Sequence, residues 1–393
     1  MLSAQHRAII QATVPLLESG GEALTTHFYK LLLAEHPEVR PLFNQANQAS
    51  GDQPRALANG VLMYARHIDR LEALGGLVSQ IINKHVALQI LPEHYPIVGG
   101  CLLRAISEVL GAEVATPEVL EAWGAAYGQL AGILIGAEEG LYHEKEVATG
   151  GWRGARPFVL ARKVQESTEI ASFYLVPADG KPVLPAAPGQ YIGLRVLIDG
   201  EEHRRNYSVS ALGNGGGYRI SVKHVPSGVV SPFLHECFAV GDTLDLFPPS
   251  GEFVLQPGKR PVVLISGGVG ITPTLAMLEA ALPTGRPVVF IHSARNAEVH
   301  AFRDWLDEQA RQYPQLSRFY CYAEGEEGRA GVDAVGLLSG EHLERWLPRN
   351  RDVDAYVLGP KPFMVAVKRS LEALGVPPEQ TRHEFFGPAS TLV

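Results

Sequence analysis

Three stretches with different periodicities predict a multidomain protein: an all-α domain, then an antiparallel β-barrel, then a doubly wound α/β domain. Residues 1–147 place apolar residues at helical spacing. Residues 152–258 contain short β-type runs separated by Pro/Gly turns, which is typical of a small barrel. Residues 259–393 alternate short apolar strands with helices, which indicates a parallel sheet covered on both faces.

The composition agrees with several globular domains. The 393 residues are too many for a single core, and 46% are hydrophobic while 19% are charged. The net charge of −8 excludes a general affinity for nucleic acid. Three widely separated cysteines predict neither a disulfide framework nor a zinc site, and no apolar run is long enough to span a membrane. With no secretion signal, we expect a protein of the reducing cytoplasm.

The first domain is predicted to end with a long helix that begins at Thr116-Pro117-Glu118. This motif combines a capping hydroxyl, a first-turn proline and an acid near the positive helix end. A glycine-rich linker at residues 149–154 closes the domain. The helices predicted before the last one are residues 4–17, 22–34, 77–91 and 95–110.

His85 lies in the middle of an apolar helical face. An imidazole there either hydrogen-bonds into the core or offers a nitrogen to a bound metal, in which case its other nitrogen needs an acceptor. Tyr95 begins the next helix, and Glu138 continues the inward face of the last one, where a carboxylate must be paired. The three side chains are predicted to form a hydrogen-bonded set behind an iron, with Glu138 increasing the electron density on the imidazole.

Candidates for the opposite side of this iron lie earlier in the chain. Tyr29 falls inside a predicted helix, and its hydroxyl needs a partner that dioxygen would supply. Phe43 follows a short corner and can stack on a flat macrocycle, while Gln53 offers a second donor. Core packing or a surface amide explains each of these residues equally well when it is taken alone.

Six short motifs connect residues 1–147 to a known family. They are Thr26-His-Phe-Tyr29, Leu42-Phe43-Asn44, Gly51-Asp-Gln53, Asn83-Lys84-His85, Pro92-Glu-His-Tyr95 and Ala122-Trp-Gly-Ala-Ala-Tyr127. Together they resemble the globin domain of the bacterial flavohaemoglobins, which implies haem b with His85 as the proximal iron ligand. The resemblance also implies a distal pocket of Tyr29, Phe43, Gln53 and Leu57, and a catalytic set of Tyr29, Tyr95 and Glu138.

Residues 152–258 carry motifs suited to a flavin. Arg205-Asn206-Tyr207-Ser208 lies on a β-run and offers a cation, a stacking ring and a hydroxyl, although an amphipathic strand explains it equally well. Gly228-Val-Val-Ser231 precedes a predicted helix at residues 232–237, whose backbone N–H groups can hold a phosphate. With Pro188-Gly-Gln-Tyr191, these motifs resemble the flavin domain of the ferredoxin reductase superfamily. The implied FAD-binding residues are Tyr191, Arg205, Asn206, Tyr207, Ser208, Gly228, Val230, Ser231, Phe385, Phe386, Gly387 and Pro388.

A glycine loop, Ser266-Gly-Gly-Val-Gly-Ile-Thr-Pro273, follows an apolar strand and opens a helix. Glycines let a backbone approach phosphates closely, although Pro273 breaks the G-x-G-x-x-G pattern. The loop resembles the nicotinamide-nucleotide loop of the same superfamily. The implied NAD(P)H-binding residues are Gly268, Val269, Gly270, Ile271, Thr272, Pro273, Gly359 and Pro360. Leu358 stands where the family usually has a cysteine near the hydride path, which puts efficient hydride transfer in doubt.

Three charged residues have open roles. Arg295 follows the second strand of the α/β domain. It either binds the 2′-phosphate of NADPH or is exposed to solvent, so the sequence leaves the preference between NADH and NADPH undecided. The resemblance implies that Lys84 and Glu384 approach each other and, with Tyr29, tune the haem potential. From the residues alone, Lys84 and Glu384 are ordinary surface charges.

The resemblance covers nearly the whole chain and implies a nitric oxide dioxygenase. NAD(P)H would pass electrons through FAD to haem, whose bound O₂ converts nitric oxide to nitrate. The expected partners are O₂ and nitric oxide, with no obligate protein partner and a monomeric chain. Two alternatives stay open: a haem-globin reductase that binds a gas or lipid or reduces peroxide, and a helical module that passes electrons to a partner protein.

Overall fold

The computed structural model describes residues 2–43, 51–213, 215–325 and 331–387. By their internal contacts the residues form two compact units. Unit 1 consists of Met1–Val147, Val196–Arg205 and a short segment that includes Gly387, and unit 2 contains nearly all of the remaining chain. The predicted domain boundary at residue 147 stays a prediction, because unit 1 also includes Val196–Arg205. The predicted boundary at residue 258 falls inside unit 2 and stays a prediction.

The first part of unit 1 is helical, as predicted, with a core that includes Phe28 and Trp123. Among the described helices, none combines the length and the apolar character needed to cross a membrane. The α-helices are α1 (Ala4–Ala12), α2 (Val14–Glu35), α3 (Asp52–Arg66), α4 (Gly75–Leu88), α5 (His94–Leu110) and α6 (Pro117–Val147).

The prediction of one helix over residues 4–17 is wrong, because the helix is interrupted at Thr13 and two helices form instead. Pro15 lies in the first turn of α2, where its missing N–H costs nothing, and it could not continue α1. The Thr13 hydroxyl donates to the Ile10 carbonyl at 2.6 Å and satisfies the end of α1. Helix α2 then runs through a Gly-Gly pair to Glu35, so the predicted helix over residues 22–34 covers only its second part. Helix α3 is not predicted from the sequence.

Helix α4 ends three residues earlier than predicted. Gln89 adopts a left-handed conformation with φ 58°, and the Ile90 N–H donates to the His85 carbonyl at 2.9 Å. This arrangement closes the helix in the manner of a left-handed C-cap. His85 therefore lies in the last turn of α4, where the helix presents its negative end.

The second region is an antiparallel sheet in the strand order β4-β3-β6-β1-β2-β5. Val209, which follows β4, pairs antiparallel with Ile220 of β5, so the sheet closes into the predicted barrel. The strands are β1 (Arg156–Gln165), β2 (Ile170–Pro177), β3 (Tyr191–Ile198), β4 (Glu201–Ser208), β5 (Tyr218–Lys223) and β6 (Thr243–Leu246). Strand β1 is not predicted, because its charged residues and its proline mask the strand pattern.

A single helix, α7 (Val230–Glu236), follows β5. The ammonium group of Lys163 on β1 donates to the carbonyl oxygens of Leu234, His235 and Phe238, at 2.9, 2.7 and 3.1 Å. A cation at these carbonyls caps the C-terminal end of the helix. Lys163 thereby fixes α7 against the barrel.

The last region is a parallel sheet, as predicted, and its strands lie in the order β10-β9-β8-β7-β11-β12. Residues of β7 alternate between two apolar clusters, with Leu264 in one and Ile265 in the other, so both faces of the sheet are buried. The strands are β7 (Val262–Gly267), β8 (Val288–Ala294), β9 (Leu316–Tyr322), β10 (Ala334–Val335), β11 (Asp354–Leu358) and β12 (Thr381–His383). The helices are α8 (Ile271–Ala281), α9 (Arg303–Gln312), α10 (Gly340–Trp346) and α11 (Lys361–Ala373).

Candidate functional site

Three helices bring His85, Tyr95 and Glu138 together. His85 Nδ1 lies 2.7 Å from Glu138 Oε1 and 3.2 Å from the Tyr95 hydroxyl. The Tyr95 hydroxyl donates to the same Glu138 oxygen at 2.6 Å. The Glu138 carboxylate is buried, with only 3% of its side chain exposed, so the two donors supply the pairing that a buried carboxylate requires.

This arrangement determines which nitrogen of His85 is available. Burial is the main cause that raises the pKa of Tyr95 well above its usual range, and the hydrogen bond to Glu138 adds to it. Tyr95 therefore stays a neutral hydrogen-bond donor. Glu138 can then accept both from Tyr95 and from the Nδ1–H of His85. The lone pair of Nε2 remains on the other side of the ring, and 31% of the His85 side chain is exposed. A neutral imidazole whose second nitrogen is fixed by a carboxylate is a well-oriented metal ligand.

Two further tyrosines support this cluster: Tyr127, which enters the sequence prediction only as part of a motif, and Tyr142, which is not predicted from the sequence. The Tyr127 hydroxyl donates to the Tyr95 carbonyl, and the Tyr142 hydroxyl donates to the Ile90 carbonyl, each at 2.7 Å. Tyr142 lies four residues after Glu138 on α6, hence on the same helical face. That spacing is the signal that could have found it. Both bonds hold the chain around α4 and α5 in place.

Tyr29, Phe43 and Gln53 come together elsewhere in unit 1. The Tyr29 and Phe43 rings meet edge to face with centroids 5.6 Å apart, and Tyr29 is buried. Burial raises the pKa of the Tyr29 phenol above its usual range, although a hydrogen bond with Gln53 opposes the shift. Tyr29 therefore keeps its proton at physiological pH. Leu57, on the next turn of α3, packs against the same core, while Asn44 lies outside the described residues.

The residues of this domain fit a haem. His85 offers its Nε2 atom, because its Nδ1 atom is hydrogen-bonded to Glu138. Partly buried apolar residues such as Val78 and Ile97 pack against the core of the domain. The buried Gln53 Oε1 atom has no hydrogen-bond partner among the described residues. A buried polar atom without a partner is rare and is explained by a bound group. A neutral imidazole, an O–H donor and an apolar lining are what a haem pocket requires.

Two cations make contacts at α4, both within unit 1. Lys84, a residue of α4, donates from Nζ to the Gly387 carbonyl, and Arg204 Nη1 donates to the Leu88 carbonyl, each at 2.5 Å. Arg204 stabilises the C-terminal end of α4, because a positive group at a helix C-terminal carbonyl is favourable. The role of Lys84 and Glu384 in tuning a potential stays a prediction.

The predicted flavin residues on the barrel differ in exposure. Tyr191 is buried, and burial raises the pKa of its phenol above the usual range. On β4, Ser208 is buried, Asn206 is exposed and Tyr207 is half-buried. Arg205 donates to the Arg204 carbonyl at 2.6 Å. The four residues of the motif therefore do not share one face of the strand.

The loop before α7 is closed by its own hydrogen bonds. The Ser231 hydroxyl accepts from the Val225 N–H at 3.1 Å, and the Gly228 N–H donates to the Val225 carbonyl at 2.8 Å. Val230 is buried, and its predicted contact with FAD stays a prediction. Near the end of the chain, Phe385 packs against the parallel sheet and Phe386 is exposed, while Pro388 lies outside the described residues.

The glycine loop packs tightly against the neighbouring strand. A Cβ on Gly270 would lie 2.6 Å from the Leu358 carbonyl oxygen, and a Cβ on Gly359 would lie 3.2 Å from the Gly267 Cα. Only glycine allows these approaches. The predicted residues Ile271, Thr272 and Pro273 are buried, and the Thr272 hydroxyl donates to the Val269 carbonyl. The backbone and the glycines therefore form the surface that a nucleotide can reach, and Pro360 follows as the N-cap of α11.

Two buried residues lie at this edge of the sheet. Leu358 is fully buried in the sheet core, and its effect on hydride transfer stays a prediction. His292 is buried, its Nδ1 lies 2.9 Å from the Ser266 hydroxyl, and burial lowers its pKa to about 3. This neutral histidine holds the serine that opens the glycine loop, a role that the sequence does not predict.

Comparison with protein families places three domains in the predicted order. The globin model matches residues 26–134, the oxidoreductase FAD-binding domain matches residues 157–255, and the oxidoreductase NAD-binding domain matches residues 264–369. These matches confirm the predicted fold class and the predicted cofactor types. They define a single-chain oxidoreductase in which a globin is joined to a flavin- and nicotinamide-dependent reductase.

The full-length relatives identify the family. Flavohemoproteins of Pseudomonas putida and Pseudomonas aeruginosa are 72% and 64% identical, each over 100% of both chains. A flavohemoprotein of Deinococcus radiodurans is 48% identical over 100% of this chain and 98% of its own. The chain belongs to the flavohemoprotein family.

Solved structures agree with this assignment. A flavohemoglobin of Malassezia yamatoensis, determined with bound FAD and heme, superposes with a TM-score of 0.87 at 28% identity, covering 98% of this chain and 100% of that chain. The FAD/NAD-binding domain of a nitric oxide dioxygenase from Vibrio cholerae gives a TM-score of 0.56 at 36% identity, covering 60% and 100%.

Proposed function

We propose that the protein is a nitric oxide dioxygenase that uses a nicotinamide coenzyme to convert nitric oxide and O₂ to nitrate. One NADH supplies two electrons, which balance the conversion of two nitric oxide and two O₂ to two nitrate, with release of one proton. The observation that carries this proposal is the 2.7 Å contact between His85 and the buried Glu138, in a chain that also carries a flavin reductase. The related Vibrio cholerae protein is named for this activity.

Each group of the site has a defined task in this proposal. His85 would hold a haem whose iron would supply O₂ binding, and the reductase domains would hold an FAD that would divide hydride electron pairs into single electrons. Glu138 accepts a hydrogen bond from the Nδ1–H group of His85 and keeps the imidazole oriented, while Tyr95 fixes the carboxylate. Tyr29 stays protonated and donates a hydrogen bond to the substrate, and Gln53 lies beside it. Phe43 and Leu57 exclude water.

We further propose domains at residues 1–147, 152–258 and 259–393, in a monomer that acts in the cytoplasm without an obligate protein partner. The thiols of Cys101, Cys237 and Cys321 are unpaired, which suits a reducing compartment.

Nitric oxide consumption by the purified protein tests the function. With FAD, haem and NADH present, a nitric oxide electrode should record rapid loss only when O₂ is added. Ion chromatography should find nitrate, with two nitric oxide consumed for each NADH. Equal consumption without O₂, or a product other than nitrate, would reject the dioxygenase proposal.

Replacing Glu138 with glutamine tests the role of the carboxylate. The amide oxygen of glutamine can still accept a hydrogen bond from the Nδ1–H group. It lacks the negative charge that favours ferric iron, so the reduction potential of the haem should rise. Activity should fall by about 10- to 100-fold, as for other groups that orient a metal ligand. Spectroelectrochemical titration measures the potential, and Glu146→Gln, an exposed site on the same helix, is the matched control. Equal potentials in Glu138→Gln and Glu146→Gln would show that the Glu138 charge does not reach the iron.

A further inference from the structure

Arg295 occupies the position at which nucleotide-binding sheets recognise the adenosine ribose. It directly follows β8, which pairs parallel with β7, the strand that leads into the glycine loop. In doubly wound folds, an acid after this second strand binds a 2′-hydroxyl, whereas an arginine nearby accommodates a 2′-phosphate. Taken alone, Arg295 would therefore favour NADPH.

The guanidinium is already engaged by a residue of the barrel. Arg295 Nη2 forms an ion pair with Glu169 Oε1, and the second oxygen of Glu169 lies 2.8 Å from Lys223 Nζ. Glu169 belongs to the turn between β1 and β2, and both residues of the pair lie in unit 2. One carboxylate thus binds two cations at once.

A second contact joins the two segments that carry the ion pair. The backbone N–H and the hydroxyl of Thr168 both donate to the Glu298 carbonyl at 3.1 Å. These bonds join the turn that carries Glu169 to the loop that carries Arg295. The side-chain ion pair therefore lies beside a backbone contact that keeps the turn and the loop together.

The positive charge of Arg295 already has a carboxylate partner, Glu169, in the absence of a ligand. Burial alone would raise the pKa of the Glu169 carboxyl, but the bonds with Lys223 and Arg295 lower it, so the group is ionised. A second carboxylate, on Glu324, accepts from the Asn296 amide at 3.2 Å. Glu169 therefore pairs with both cations, and Glu324 adds a second carboxylate that is bound to the neighbouring Asn296 amide. A phosphate with about two negative charges would have to displace Glu169 and meet Glu324, whereas a hydroxyl would displace nothing.

We infer that Glu169 is a specificity-determining residue that holds Arg295 and thereby makes the nucleotide site select a 2′-hydroxyl over a 2′-phosphate. The preferred coenzyme is then NADH. This inference rests on the proposed function, in which a nicotinamide coenzyme supplies the electrons. It assigns the choice of coenzyme to a residue of the barrel rather than to the domain that carries the glycine loop.

Glu169→Gln in the full-length holoprotein tests this inference. Calorimetric titration gives the Kd of adenosine 2′,5′-bisphosphate and that of 5′-AMP, and stopped-flow absorbance gives the KM of NADPH and of NADH for flavin reduction. The variant frees Arg295, so the affinity for the bisphosphate should increase at least about tenfold relative to 5′-AMP, as one charge-assisted hydrogen bond provides. The KM of NADPH should fall in parallel.

Two further variants make the result specific. Glu166→Gln removes one charge three residues earlier, at a site that forms no ion pair with Arg295, and should leave both affinities unchanged. Adding Arg295→Ala to Glu169→Gln should abolish the gain. An unchanged affinity ratio in Glu169→Gln, or an equal gain in Glu166→Gln, would overturn the inference. Because binding and flavin reduction need neither nitric oxide nor O₂, failure here is distinguishable from failure of the proposed function.

Discussion

Replacing His85 with alanine is expected to yield a protein that purifies without haem. Helix α4 contains no other imidazole, and Glu138 and Tyr95, which orient His85, cannot themselves replace the neutral nitrogen ligand. The haem content per chain should fall to near zero, as measured by the Soret absorbance against protein concentration. The flavin absorbance should persist, because its domain does not depend on His85.

The matched control is His143→Ala, which removes an exposed imidazole from α6. This variant should keep the full haem content. A Soret band of normal position and intensity in His85→Ala would show that another residue binds the iron and would remove the basis for the proximal assignment.

Replacing Tyr29 with phenylalanine should increase the rate at which O₂ leaves the distal pocket. The buried phenol keeps its proton because burial raises its pKa, so it is a permanent hydrogen-bond donor. Loss of one such bond costs about 1–3 kcal/mol, which corresponds to a roughly 5- to 150-fold faster dissociation. Stopped-flow mixing of the oxygenated protein with carbon monoxide measures this rate constant.

Tyr64→Phe controls for the loss of a buried hydroxyl. The Tyr64 phenol donates to the Ala126 carbonyl at 2.9 Å in the same domain, so its removal should destabilise the fold without changing O₂ release. Equal dissociation rates in Tyr29→Phe and the unmodified protein would place Tyr29 away from the ligand.

The sequence predicts the proximal cluster because helical periodicity is a local signal. His85 and Glu138 each interrupt an apolar stripe, and a polar group in such a stripe needs a partner. The glycine loop is predictable for a similar reason, since a strand, a loop and a helix follow one another along the chain. In both cases each part of the site is recognisable from a short stretch of sequence: an interrupted apolar stripe for the His85 cluster, and a strand followed by glycines and a helix for the loop.

Other features depend on contacts that no local pattern encodes. The break at Thr13 and the left-handed Gln89 depend on how each helix end is satisfied, so the helix bounds move by several residues. The ion pair between Arg295 and Glu169 joins residues 126 positions apart in sequence. From the sequence, Arg295 was equally compatible with a phosphate and with solvent, and the carboxylate that engages it gave no signal.

The central claim is that electrons pass within one chain from a nicotinamide coenzyme through flavin to an iron held by His85. Absorption spectra of the purified protein under argon, before and after the addition of NADH, test this claim most directly. We expect haem and flavin bands at the start, then loss of the oxidised flavin band and a shift of the Soret band to that of ferrous haem. A colourless protein, or flavin that is reduced while the Soret band stays ferric, would contradict it.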